Sequence, residues 1–68
     1  GVDLLELDDA MERLGVLDER KLRVVELRFF GGLTMKQIGT ALDISPKTAE
    51  ADWTMARAWL RSQLTAAG

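Results

Sequence analysis

The sequence has no cysteine and no histidine. Disulfide staples and thiol nucleophiles are excluded, and so are the usual zinc ligands and the usual general base. The carboxylates fall along the outer faces of helices, so no general-base constellation can be assembled and an enzyme is not expected. Neither a cofactor nor a small-molecule ligand is implied. No run approaches the roughly 18 apolar residues of a membrane span, and no charged-then-apolar leader precedes the first helix. A soluble cytoplasmic chain with no membrane partner is therefore the default expectation. A basic excess is also missing: the net charge is −2, where a nucleic-acid binder is expected to be basic. The distribution tempers this. Residues 1–15 carry Asp3, Glu6, Asp8, Asp9 and Glu12 against Arg13, a net of −4, which leaves +2 for the remaining 53 residues.

What is present fits one small domain spanning residues 1–68. A chain of this size buries roughly 60% of its unfolded surface and is stable by only about 3–5 kcal/mol. Asp3 and Glu6 read as a cap pair for a first helix over about residues 4–14, with Leu4, Leu7, Met11 and Leu14 on one side and Gly15 suited to the C′ position. Asp8, Asp9 and Glu12 point the other way, as a solvated face. Asp18 caps a second helix over about 19–30 that stops at Gly31-Gly32. Its stripe is Leu22, Val25 and Phe29, widened by Val24 and Leu27, which suggests a helix packed on more than one side. Arg20, Arg23 and Arg28 can lay their stems on the core and keep their heads for solvent or phosphate.

The second half is organised as a short helix, a tight turn and a long helix, a helix-turn-helix. Thr34 with Gln37 three residues later is a capping-box pattern opening a helix over 35–42, with Ile38, Ala41 and Leu42 as its apolar face. Asp43-Ile44 interrupts it. Ser45 as N-cap with Pro46 at N1 restarts a helix over 46–64, the serine hydroxyl accepting an orphan amide and the proline having none to lose. Ala49, Trp53, Ala56 and Leu60 repeat as a core-facing stripe. Lys47, Glu50, Ala51, Thr54, Arg57, Ala58 and Arg61 face away, with Met55 and Trp59 on one flank. That flank has two readings: ordinary packing against the first helix, or the edge of a groove for a partner helix.

Residues 17–34 (Leu-Asp-Glu-Arg-Lys-Leu-Arg-Val-Val-Glu-Leu-Arg-Phe-Phe-Gly-Gly-Leu-Thr), Ser-Pro-Lys-Thr from Ser45, and Asp-Trp-Thr-Met-Ala-Arg-Ala-Trp-Leu from Asp52 resemble region 4 of bacterial sigma factors. The likeness is to the extracytoplasmic-function (ECF) group of the sigma-70 family and spans roughly residues 4 to 64. It implies an all-α, four-helix fold of the winged-helix-like DNA-binding superfamily, without a wing. It also implies a bacterial, cytoplasmic role in transcription initiation, with the last helix in the major groove of the −35 promoter element. Another surface would dock on the β flap of core RNA polymerase, and an anti-sigma factor is a further candidate partner. Region 2, which opens the −10 element, is not in this sequence, so this chain alone would not start transcription. Carried over by position, Thr34, Met35, Lys36 and Gln37 would face phosphate, as would Ser45, Lys47 and Thr48. Amides at a helix N-terminus beside a lysine make an anion site, which supports that placement. Base-edge readers are expected at Glu50, Ala51, Thr54 and Met55, with Arg57 near the backbone.

The reading positions depart from the pattern of the group, whose members usually carry arginine, lysine or other hydrogen-bonding groups there. Ala51 can touch only a thymine methyl, Glu50 can accept from cytosine but repels phosphate, and Met55 donates nothing. From residue 46 on, Lys47, Arg57 and Arg61 oppose Glu50 and Asp52, a net of +1. Intrinsic DNA affinity is therefore expected in the non-specific range of about 10⁻⁴–10⁻⁶ M, with tethering to polymerase compensating through effective concentration. Two other readings share parts of the pattern. A LuxR-type response-regulator output domain has the same Thr-x-x-Gln-Ile start and Ser-x-x-Thr restart, although the Phe29-Phe30-Gly31-Gly32 ending and the second tryptophan argue against it. A helix-turn-helix-shaped protein-interaction module, binding polymerase or an anti-sigma factor with little DNA affinity, would explain the depleted reading face.

Overall fold

The computed structural model describes residues 4–66, and these form four helices with no strand among them. Helix α1 spans Leu4–Leu17 and α2 spans Glu19–Val25, continuing through a π-helical turn, Glu26–Phe30. Helix α3 spans Met35–Leu42 and α4 spans Pro46–Ala66. The expected cap at Asp3 lies outside the described residues. The C′ role expected for Gly15 is overturned, because α1 runs through it to Leu17. A Cβ on Gly15 would sit 2.7 Å from Leu22 Cδ2, so this glycine lets α1 and α2 approach closely and does not end a helix. The inward stripe of α1 is also shifted. Leu4 is 79% exposed, while Ala10 is fully buried and Leu14 nearly so.

Asp18 caps α2 as expected, its carboxylate accepting from the Lys21 amide at 3.2 Å. Val24 and Val25 are buried, but Phe29 is 66% exposed and Phe30 67%, against the expectation that Phe29 belongs to the core stripe. The cause lies in the backbone. The helix widens after Val25, and Gly31 N–H bonds the Glu26 carbonyl, five residues back, at 3.1 Å. A π turn holds more residues than an α turn, so Phe29 falls short of the inward position that i+4 spacing from Val25 would give it.

Two small cores share α2 and α4. One gathers Val24, Ile38 and Ala49, with Leu27, Leu33, Met35, Leu42 and Ile44 packed around them. The other gathers Ala10, Leu14, Val25, Ala56 and Leu60, with Met11, Leu22, Trp59 and Leu64 around them. Trp53 packs against both. Ala49, Ala56 and Leu60 thus face inward as the repeat predicts, whereas Ala41 on α3 is exposed and Gly39 takes its place in the interior. Gly39 is needed there: a Cβ would stand 2.6 Å from the Ile44 carbonyl oxygen and 3.3 Å from Pro46 N. That close approach is the turn between α3 and α4. Asp43 supplies its left-handed residue, at φ 56° and ψ 47°, and Ile44 N–H bonds the Gly39 carbonyl at 2.9 Å.

Candidate nucleic-acid interface

The helix-turn-helix is set by its two caps. Thr34 Oγ1 accepts from Gln37 N–H at 3.1 Å, and Gln37 Oε1 accepts from Thr34 N–H at 2.9 Å, a complete capping box. Ser45 Oγ accepts from Thr48 N–H at 3.0 Å and donates to Thr48 Oγ1 at 2.9 Å. These bonds give the same residues a structural role beside the one expected from sequence. The Thr34, Gln37 and Thr48 amides, counted on as anion donors, are satisfied inside the protein. Thr34, Gln37, Ser45 and Thr48 are thereby fixed first of all as builders of the turn. Met35 is half-buried in the core beneath α3, which removes it from a phosphate-facing surface. Lys36 and Lys47 are exposed, one at the start of each helix, and they supply the positive charge there.

On the outer side of α4, Lys47, Glu50, Ala51, Thr54 and Met55 line one shallow open depression of about 470 Å³. All five are exposed, Met55 by 60%. The positions expected to read bases are therefore brought together as one surface on the N-terminal half of the helix. Met55 and Trp59, taken as a pair from the helical wheel, part company: Trp59 packs against the α1 side and Met55 stays in the depression. Arg57 is not part of that surface. Its guanidinium lies 5.7 Å from the ring centroid of Trp53, a cation–π contact, and it borders a second, apolar groove.

That groove, about 430 Å³, lies along the C-terminal half of α4 between α1 and the π-helical turn. Leu7, Val25, Phe29, Trp53, Leu60 and Leu64 line it, with Arg57 and Arg61 at α4. Phe29 stands 5.7 Å from Phe30, edge on, and 6.4 Å from Trp53. The exposed phenyl rings thus extend the groove's apolar wall onto the surface.

One feature of α4 was not among the sequence expectations. Asp52 is 3% exposed, and Arg20 grips it with two hydrogen bonds, Nε at 2.7 Å and a terminal guanidinium nitrogen at 3.2 Å. Lys21 Nζ lies 3.5 Å from the same carboxylate and 2.9 Å from Asp18. The hydrogen bond to Asp52 raises the Arg20 pKa. The Asp18 side-chain bond raises that of Lys21, and the same bond, with the Lys21 amide, lowers that of Asp18. Arg20 is therefore engaged within the fold, contrary to the expectation that its head serves solvent or phosphate. A sequence signal for this existed: Asp52 falls on the inward side of α4, between Ala49 and Ala56.

Among the described residues, no helix is long and apolar enough to cross a membrane. None of their His, Cys, Asp or Glu side chains form a group that could hold a metal ion. Residues 2–66 match a sequence-family model described as ECF sigma factor. No curated protein and no solved structure matches the chain.

Proposed function

The chain belongs to the ECF sigma factor family, which acts in transcription initiation and is not a catalytic family, and from this premise we propose how its surfaces divide the work. The N-terminal half of α4 meets the −35 promoter duplex in the major groove. Lys36 and Lys47 bind phosphates on either side of the turn, and Arg57 reaches the backbone from its stacked position on Trp53. Glu50, Ala51, Thr54 and Met55 face the base edges. The observation that carries this reading is the exposed depression lined by Lys47, Glu50, Ala51, Thr54 and Met55, directly downstream of two fully built caps. The β flap of core RNA polymerase takes the apolar groove beside Phe29 and Leu60, at the other half of the same helix.

One observation favours a second reading. Ala51 and Met55 bring no donor to the depression, and Glu50 brings a negative charge, which suits a protein-interaction module with little DNA affinity. Titration of the chain with a −35 duplex and a scrambled duplex, alone and with core polymerase, separates the two. Sigma function predicts weak binding alone, with log K falling against log salt with a slope of roughly −3 if Lys36, Lys47 and Arg57 each neutralise one phosphate. It also predicts a preference for the −35 duplex once polymerase is present. Equal affinity for both duplexes in the presence of polymerase would favour the interaction module.

A further inference from the structure

The apolar packing of α4, through Trp53, Leu60 and two alanines, sets its rotation only coarsely. Two of its inward residues, Ala49 and Ala56, offer a single methyl each, both fully buried. Trp53 bridges the two cores through ring contacts, and apolar attraction of this kind has no preferred direction. An inward stripe in which alanine alternates with larger residues leaves the helix room to roll by a fraction of a turn. Asp52 supplies the direction that the stripe lacks. It is the one buried charged residue among those described, and the Arg20 guanidinium meets it in the two-pronged geometry that tolerates little displacement. Lys21 contacts the same carboxylate and is itself held by Asp18, the residue that caps α2. The first turn of α2 is thereby tied to the middle of α4. At 3.6 residues per turn, Asp52 lies roughly 160° around the helix from Thr54. A roll that turned Thr54 aside would pull Asp52 off Arg20.

We propose that the Arg20–Asp52 pair is a positioning device that sets the rotation of α4, so that Lys47, Glu50, Ala51 and Thr54 present one coherent surface to DNA. The DNA part rests on the function proposed above; the rotation itself can be measured without DNA. Partly buried ion pairs contribute little net stability compared with apolar pairs of similar volume, and fixing register is their best-attested use. The pair therefore acts as a determinant of orientation, separable from folding.

The test replaces both partners, Arg20→Met with Asp52→Leu, in the 68-residue chain. Because the sequence lacks cysteine, spin labels can be placed uniquely at Glu12→Cys on α1 and Ala58→Cys on α4, both exposed. The double variant should keep the helicity and cooperative melting of the parent, while the label-to-label distance distribution broadens or shifts. Duplex affinity should fall about tenfold, the order of one lost base contact. An unchanged distance distribution in a folded variant overturns the proposal. A changed distribution in a chain whose parent ignores −35 DNA supports the positioning role and rejects the DNA reading instead. Should the double variant fail to fold, Arg20→Gln, which leaves Lys21 facing Asp52, carries the same expectation in smaller measure, and an unchanged distribution there overturns it equally.

Discussion

The two halves of α4 sit on different kinds of foundation. Toward its N-terminus the helix is held by local chemistry: a capping box at Thr34 and Gln37, a serine cap at Ser45, a glycine at 39 where no Cβ fits, and a closed core of Val24, Ile38 and Ala49. Toward its C-terminus it is held by packing against α1 and α2, and that packing stays open as a groove with Phe29 and Phe30 at its edge. Under the proposed division, the difference lets one helix offer two unlike surfaces. An end anchored by caps and core, with its rotation set by the Arg20–Asp52 pair, presents side chains in fixed positions, which groove reading requires. An end that leaves apolar surface exposed offers area to another protein.

The largest effect should come from the residue that both halves share. Trp53→Ala removes packing from both cores and the platform of Arg57. It should cost about 3–5 kcal/mol, enough to abolish a cooperative melt in a domain this small. A variant melting like the parent would show that the two halves do not depend on a common residue. Next, Gly39→Ala drives a methyl against the Ile44 carbonyl, and at about 1–3 kcal/mol it should disturb the turn while leaving the groove intact. Amide spectra that change most around Leu7 and Leu64, and not at residues 44–50, would erase the distinction between the halves.

The same contrast explains what could be read from sequence. The α3–α4 turn was legible because its signals are local: Thr34-x-x-Gln37 and Ser45-Pro46 carry their hydrogen-bonding partners within three residues. The outward placement of Lys47, Glu50, Ala51 and Thr54 followed from periodicity alone. The α1–α2 side was misread wherever position depends on distant contacts. Gly15 resembled a helix stop, but it accommodates Leu22. Phe29 kept the α-helical phase on paper and lost it to a π turn, and Leu4 continued a stripe that has nothing to pack on. Asp52 falls on the inward side of α4, but its partner Arg20 is 32 residues away, and no local pattern says which residue it meets. The expected DNA contacts at residues 34–37 survive only as a proposal centred on Lys36, since three of those four side chains are occupied in caps or core.

Smaller changes sharpen the comparison. Phe29→Ser should alter stability by about 1 kcal/mol or less, the scale of an aromatic pair contact. It should weaken capture by core polymerase and leave duplex affinity unchanged; a parallel loss of DNA binding would join the two surfaces into one. The smallest effect is electrostatic and confined to the start of α2. The Asp18 pKa is lowered from 3.8 by its bonds to the Lys21 side chain and amide. Its stabilising contribution is therefore fully present above 3.8 and is lost as pH falls through the lower folded value. The Lys21 amide resonance should titrate with a midpoint below 3.8 while the Thr48 amide holds still. A midpoint at or above 3.8 would show that the Asp18–Lys21 bond does not persist in solution.

The division of α4 is tested most directly by mapping amide shifts while a −35 duplex is added to the chain. The account predicts perturbations at Lys36, along residues 47–55 and at Arg57, with Leu7, Phe29 and Leu64 unmoved. Perturbations gathered around Leu7, Phe29 and Leu64, with Lys47, Ala51 and Thr54 silent, would contradict it.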